Sequence, residues 1–561
     1  MNTTMETVRA AVGPGILAKA DRLFKNDDPG IWIEILQNAR RAGATVVEVT
    51  IAESEPGSGS CVVTVQDNGR GIQKFQDLLT LGQSGWDAAT QAAEDPAGMG
   101  FFALCHTGIE VHSGDRFVEI AAEVFLGSAV AEVRKTSEPI EGTRLRFSRA
   151  STKNALAAAL HAVTEFYPVE VLLDGEAVPR HDFLEGCLHR ELIDGIEVGF
   201  GTYFTHASNS YSYHDNWNFH GARIRDHFDS FPGLIDSSKP DAEPQNLFAR
   251  FNVLETGRVR LQLPDRRAII QDDLLKEFYR KVRSAAYRYF QLQPQHVLPY
   301  RNWVEARELG VTLPEAAYLL STWCAAPHDD SIEPVFGYSQ RRLLAELSEV
   351  MLVARDLPNE HTFEAALACG ATLPGTLWNE EPSLEGYSWY EKLRRVADTE
   401  VLVDGISYQD WRQSGARPLR IEVKVTISQS EEPNREICLP ASIHVDSEEY
   451  NNASFVAVGR SPWDNDALDG PFDVVDFLVW ATFVASDDSD ADSWYTQREE
   501  YEKAVTRQVN EYFRGMRGSL LAILRDALDW DARRLAQQIG VTEIRFRKGA
   551  TESAMWDIEL G

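Results

Sequence analysis

Residues 31–72 constrain this chain more than any other stretch, because they join a helix, a strand hairpin and a glycine-bracketed turn in one run. The segment IWIEILQNARRAGAT places Glu34, Asn38 and Arg41 at i, i+4 and i+7, a single polar stripe on a helix. Ile31, Ile35, Leu36, Ala39 and Ala42 take the other side, so that face is expected to be buried. Gly43 should end the helix, since a residue without Cβ enters the left-handed cap easily. Two β-rich runs follow, TVVEVTI (45–51) and CVVTVQ (61–66), and the second leads straight into Asp67-Asn68-Gly69-Arg70-Gly71-Ile72. A carboxylate and two glycines at a strand end suit a small polar ligand approached closely by backbone. An ordinary hairpin turn also begins Asp-Asn-Gly, but it has no use for a second glycine two residues on.

Two further motifs lie downstream. AGMGFF (97–102) sets paired glycines before an apolar segment, and the amides at a helix start form an anion site. GTRLRF (142–147) reads as a strand. Taken in order, Glu34–Asn38–Ala42-Gly43-Ala44, DNGRGI, AGMGFF and GTRLRF resemble the four ATP-site boxes of the GHKL superfamily. That superfamily joins DNA gyrase, heat-shock protein 90, sensor histidine kinases and MutL. One box alone is weak, whereas four in order are specific.

The resemblance covers the first 150 residues firmly and implies a Bergerat-type α/β sandwich that binds Mg·ATP. It implies that Glu34 activates water, Asn38 ligates Mg²⁺ and Asp67 accepts the exocyclic amine of adenine. Gly69, Gly71 and Ile72 would shape the base pocket, Gly98, Met99, Gly100 and Phe101 would hold the triphosphate, and Thr143 would hydrogen-bond beside Asp67. The chemistry agrees, because Mg²⁺ seeks hard oxygen donors and a carboxylate repels the carbonyl that guanine presents. Histidine kinases usually carry Asn where this chain has Glu34, so Glu34 favours hydrolysis over transfer to His. One departure stands out: MutL and the chaperones read Asp-Ala where this chain reads Arg41-Ala42. A cation on the stripe either touches phosphate oxygens or pairs with Glu34 and lowers its pKa.

At 561 residues the chain is too long for one core, and three or four domains are expected. The formal net charge of −31 disfavours general nucleic-acid binding, since an acidic surface repels phosphate. Six scattered cysteines without a CxxC pair point to reduced thiols. The start MNTTMETVRAAVGPG lacks a signal-peptide core and no run reaches membrane-spanning length, so a cytoplasmic protein is expected.

The overall expectation is an α+β multidomain protein: a GHKL domain over 1–150, a transducer-like α/β domain over 151–295, a mainly helical domain over 296–410 and an α+β domain over 411–561. Within the first, a helix is expected at 16–25, a mobile lid over 73–97 with a short helix at 75–79, and sheet from 108 to 147. In the second, the aromatic loop SNSYSYHDNWNFH (208–220) suits a partner, and His214 and His220 lack a metal framework. The run RRAIIQDDLLKEFYRKV resembles the catalytic loop of the heat-shock protein 90 middle domain, which makes Arg267, with Arg266 as fallback, the arginine that reaches the γ-phosphate. ELGVTLPEAAYLL reads as a structural helical pair rather than a DNA-binding one, and the acidic loop 487–492 as solvated rather than Ca²⁺-binding. The resemblance thus implies a slow, heat-shock-protein-90-like ATPase, homodimeric on binding ATP, acting on a protein client. A MutL- or MORC-like module of DNA repair or antiviral defence is the alternative, and a histidine kinase the third reading.

Overall fold

The computed structural model describes residues 27–80, 85–86, 90–91, 100–104, 108–202, 215–235, 243–255, 259–262, 268–323, 342–368, 370–446, 454–458, 474–483, 485–486, 493–527, 530–547 and 557–561. They fall into two compact units, 1–316 and 317–561. The structure is a mixed α+β, multidomain one, as the sequence leads one to expect.

The first helix, α1 (Asp28–Arg41), starts where Asp27 accepts the amide of Gly30 at 2.9 Å and a proline occupies the first turn. It stops at Gly43, whose φ of +77° only glycine adopts freely. Ile31, Trp32, Ile35, Leu36 and Ala39 are buried against a six-stranded sheet. Strands β1 (Val46–Glu53) and β2 (Cys61–Asp67) form its centre as an antiparallel pair, Val47 opposite Asp67. β3 (Ile109–Ile120) and β4 (Arg134–Arg149) extend it on one side, and Thr143 of β4 stands opposite Asp67. The segment AAEVFL, expected as strand, instead makes a one-turn helix, α2 (Ala122–Phe125). Its Phe125 is buried against Phe101 and Phe102, so aromatic packing overrides strand propensity there.

The first core also runs past residue 150. Helix α3 (Lys153–Thr164), capped by Thr152, lies beside α1, and the Trp32 indole donates to the carbonyl of Leu156 at 3.1 Å. Strand β5 (Glu170–Leu173) pairs parallel to β1, and β6 (Glu176–Ala177) closes the edge. Both segments, assigned to the second domain from sequence, belong to the first core, because β1 would otherwise expose an unpaired edge.

A second sheet follows in the same unit, with strand order β10-β9-β12-β8-β7: β7 (His189–Ile193), β8 (Ile196–Gly201), β9 (Trp217–Phe219), β10 (Ala222–Ile224) and β12 (Gln245–Val253), with β11 (Phe231–Leu234) paired to β12. Trp217, Phe231 and Phe251 are wholly buried there with Phe278 of helix α4 (Asp273–Gln291). The described part of the aromatic loop therefore points into the core; His214 lies outside the described residues.

The stretch 296–410 holds less helix than expected. Helix α5 (Tyr300–Glu308) and helix α6 (Glu360–Ala368) form, but LPEAAY has no regular secondary structure and the expected helical pair is absent. Leu319–Ser321 (β13), Arg342–Leu344 (β14), Val350–Val353 (β15) and Thr376–Asn379 (β16) are strands. β15 pairs parallel with β16 and with β17 (Arg394–Val403), and all four residues of VMLV are buried. A strand covered on both faces has a continuous apolar run, which periodicity cannot tell from a buried helix. β18 (Ile406–Ser407) pairs with the end of β17, and the sheet continues through β19 (Ile421–Gln429), which alternates as read from sequence, and β20 (Glu432–Ala441), whose first five residues are exposed. The unit also holds a strand pair of Ile443–Asp446 with Ser454–Ala457, helices Val474–Thr482, Trp494–Ala527 (broken at Gly515) and Trp530–Gln538, and a terminal strand pair.

Candidate functional site

The turn after β2 packs directly onto the end of α1. The Arg70 amide donates to the carbonyl of Ala42 at 2.9 Å, and a Cβ on Gly69 would lie 2.7 Å from the Ala42 Cβ. Gly71 has φ +71°, and a Cβ there would lie 2.6 Å from Ser113 Oγ. Ser113 Oγ in turn accepts the Ile72 amide at 2.8 Å and donates to the Gly142 carbonyl at 2.9 Å. Gly142 sits so close that its Cβ would fall 1.9 Å from the Asp67 carbonyl oxygen. These three glycines are therefore required by space, and they fix Asp67 at the end of the α1 stripe.

Asp67 is half-buried, and its Oδ1 accepts the Gly69 amide at 2.8 Å. Burial pushes its pKa up, while the amides of Gly69 and Thr143 pull it partly back. Thr143 is buried beside it. The neighbouring Asn68 is structural: its Oδ1 accepts the amides of Thr45 and Val46 at 2.8 and 3.1 Å, holding the two strand ends together.

On α1, Glu34, Asn38, Arg41 and Ala42 are all half-buried. The Glu34 carboxylate has no hydrogen bond or ion pair among the described residues. Arg41 does not pair with it; Nη1 of Arg41 instead donates to Asn38 Oδ1 across a long 3.5 Å. Of the anion-site motif, Gly100 opens a single 3₁₀ turn (Gly100–Leu104) rather than an α-helix, Phe101 is half-buried against Phe125, and Gly98 and Met99 lie outside the described residues. Of the expected lid, Phe75–Leu78 forms a 3₁₀ turn whose buried Phe75 lies under Arg116, and the Arg70 guanidinium covers the Trp86 ring at 4.8 Å. Its residues 81–84, 87–89 and 92–97, like Arg266 and Arg267, lie outside the described residues. The flanks of that arginine pair are joined: Gln262 donates to Ala268 and Ile270 to Arg260, each at 2.8 Å.

Two side chains that carry no motif link the site to its surroundings. Gln37, between Glu34 and Asn38, is 5% exposed and donates from Nε2 to the carbonyls of Phe219 and His220 at 3.1 and 2.9 Å. Tyr167 donates its hydroxyl to the Leu36 carbonyl at 2.6 Å, and burial keeps that phenol protonated. A buried glutamine on an otherwise apolar face is the one sequence signal for the first of these; its partners, some 180 residues away, leave no local trace.

Residues 31–152 match the family of histidine kinase-, DNA gyrase B- and HSP90-like ATPases. No curated protein matches the chain over its sequence. Among solved structures, the N-terminal domain of a DNA repair protein aligns at 13% identity with a TM-score of 0.28, covering 49% of this chain and 99% of that one. None of the described helices is long and apolar enough to cross a membrane.

Proposed function

With residues 31–152 a nucleotide-binding domain of the GHKL superfamily, we propose that the chain is a slow, heat-shock-protein-90-like ATPase that couples hydrolysis to closure of the 73–97 segment and movement of the domain behind it. The observation that carries this reading is the pairing of a free carboxylate with a fixed one. Glu34 has no partner among the described residues, while Asp67 is pinned by glycine contacts at the far end of the same stripe. A carboxylate with nothing to hold is available to take a proton from water, and a carboxylate held by two amides is a rigid acceptor for an amine.

The residues divide the work as follows. Asp67 accepts from the base and rejects a carbonyl at the same position, with Thr143 beside it and Gly69, Gly71 and Ile72 leaving room. Asn38 offers its amide oxygen to a magnesium ion, which when bound neutralises phosphate charge. Arg41, whose contact with that oxygen is a long 3.5 Å, places a cation on the same stripe, where it can meet phosphate oxygens. Gly98, Met99, Gly100 and Phe101 line the phosphates, and Arg267 supplies a cation from the second domain. Assembly into a homodimer on nucleotide binding and action on a protein client belong to the same reading. The repair or defence alternative needs a basic surface, and a net charge of −31 works against one.

The test is Glu34→Gln. ATP affinity by calorimetry should stay within a factor of about three, while steady-state hydrolysis falls by about 10²-fold or more. Unchanged turnover removes Glu34 as the base.

A further inference from the structure

The second unit contains a polar cavity of about 390 Å³ that belongs to no sequence motif. It opens between the start of α6, the short helix α7 (Tyr408–Trp411) and strand β21 (Ile443–Asp446). Asn359, Glu360, His361, Tyr408, Gln409, His444 and Asp446 supply its polar lining, and Leu357 and Val445 its apolar side.

His444 is 3% exposed, and its Nδ1 lies 2.7 Å from the hydroxyl of the wholly buried Thr362. That hydroxyl has no other acceptor among the described residues, so it donates to Nδ1 and the imidazole carries its own proton on Nε2. Nε2 has no partner among the described residues, yet is not sealed off from solvent. The Tyr408 ring packs edge-on to the imidazole at 4.2 Å, and the Tyr408 hydroxyl donates to Asp446 Oδ2 at 3.0 Å. Asn359 spends its amide N–H on the Thr399 carbonyl at 3.0 Å, which leaves its oxygen as an acceptor.

The lining is therefore rich in acceptors and net negative. Glu360 and Asp446 contribute carboxylates, and no Lys or Arg lines the cavity among the described residues; Arg412 forms a long ion pair with Asp446 at 3.9 Å. His361 is tied to Glu364 at 3.0 Å. Burial and the neighbouring Glu364 and Asp356 push the Glu360 pKa up, and His361 opposes them only in part. The positive end of α6 is already offset by Glu360 in its first turn. A bare metal ion does not match, since no group of three or more metal-binding side chains converges among the described residues.

We propose that this cavity binds a guanidinium or alkylammonium group: Glu360 and Asp446 take its N–H donors, Leu357 and Val445 cover its stem, and His444 Nε2–H donates to a carbonyl next to it. A cation on an apolar stem beside a carbonyl is what an arginine or lysine offers, whether free or in a peptide.

The experiment titrates the full chain with Nα-acetylated L-argininamide, L-lysinamide and, as the neutral isostere, L-citrullinamide, and with the peptide Gly-Gly-Arg-Gly-Gly, read by calorimetry and by the His444 ring resonances. Saturable binding of argininamide that moves the His444 resonances is expected, with citrullinamide weaker by about tenfold or more. Glu360→Gln and Asp446→Asn should each weaken argininamide by about tenfold. Tighter binding of the peptide than of the amide assigns the site to a partner's side chain, and the reverse to a free small cation. Citrullinamide binding as well as argininamide overturns the proposal, as does the absence of saturation up to about 10 mM. The citrulline comparison uses the native chain, so a variant that misfolds does not decide the matter.

Discussion

At the scale of single residues, Asp67 is the group whose surroundings say most about its task. Two amides point at its carboxylate and Gly142 cannot carry a Cβ without striking its backbone. Burial nonetheless outweighs the amides and leaves its pKa raised. An acceptor is lost when the carboxyl takes a proton, and a raised pKa brings that loss to a higher pH than for an ordinary aspartate. ATP affinity should therefore be full near neutrality and decline as pH falls through the raised pKa, above the usual aspartate range. Asp67→Asn should weaken ATP by about 10- to 100-fold, flatten that decline, and shrink the preference for ATP over GTP. Calorimetric titrations with both nucleotides across the acid limb check all three, and a wild-type acid limb that survives in Asp67→Asn assigns it to another group.

Among the elements, α1 carries the polar stripe of Glu34, Asn38 and Arg41 and also reaches the second sheet through Gln37. Gln37 is buried one residue from Asn38, and the carbonyls it holds are those of Phe219, at the end of β9, and His220, in the turn between β9 and β10. That turn is tightly seated: His220 has φ +53°, and a Cβ on Gly221 would lie 2.8 Å from the Val163 carbonyl. Gln37→Met keeps the volume but leaves two buried carbonyls without their donor, a loss of about 1–3 kcal/mol in stability by urea unfolding. Hydrogen exchange should rise in 217–224 more than in β1 or β2, and equal protection there would mean that the glutamine does not hold the turn. The same helix shows what sequence reveals and what it hides. Period, cap and stop signals disclose α1, β1, β2 and the glycine turn, because each is a local consequence of residue type. The Gln37 contacts and the parallel pairing of β5 with β1 join residues more than 100 positions apart, and local pattern carries no record of them. VMLV failed for another reason: a strand buried on both faces has no alternation to read. The polar cavity was hidden likewise, since its lining comes from three separate segments of the second unit.

For the whole molecule, two units with separate cores make a single unfolding transition an unsafe description. Acid should distinguish them through His444. Burial holds its pKa down to about 4 against an ordinary 6.5, with Asp446 opposing the shift. The unfolded chain therefore binds a proton that the folded chain refuses between those two values, and stability is lost as pH falls through that window. Integrated from pH 7 to pH 5, the loss amounts to about 2 kcal/mol. Glu360 and Glu364 act with the opposite sign, since their raised pKa values let the folded state take up protons first, so the bare pH dependence mixes the two. Comparison with His444→Asn isolates the histidine, because the amide occupies the place of Nδ1 next to Thr362 and does not titrate. Urea unfolding followed by hydrogen exchange should show the wild type losing about 2 kcal/mol more than the variant between pH 7 and pH 5, in residues 350–446 and not in residues 31–173. Equal losses in both proteins would mean that His444 gains its proton without unfolding, as an imidazole open to water does.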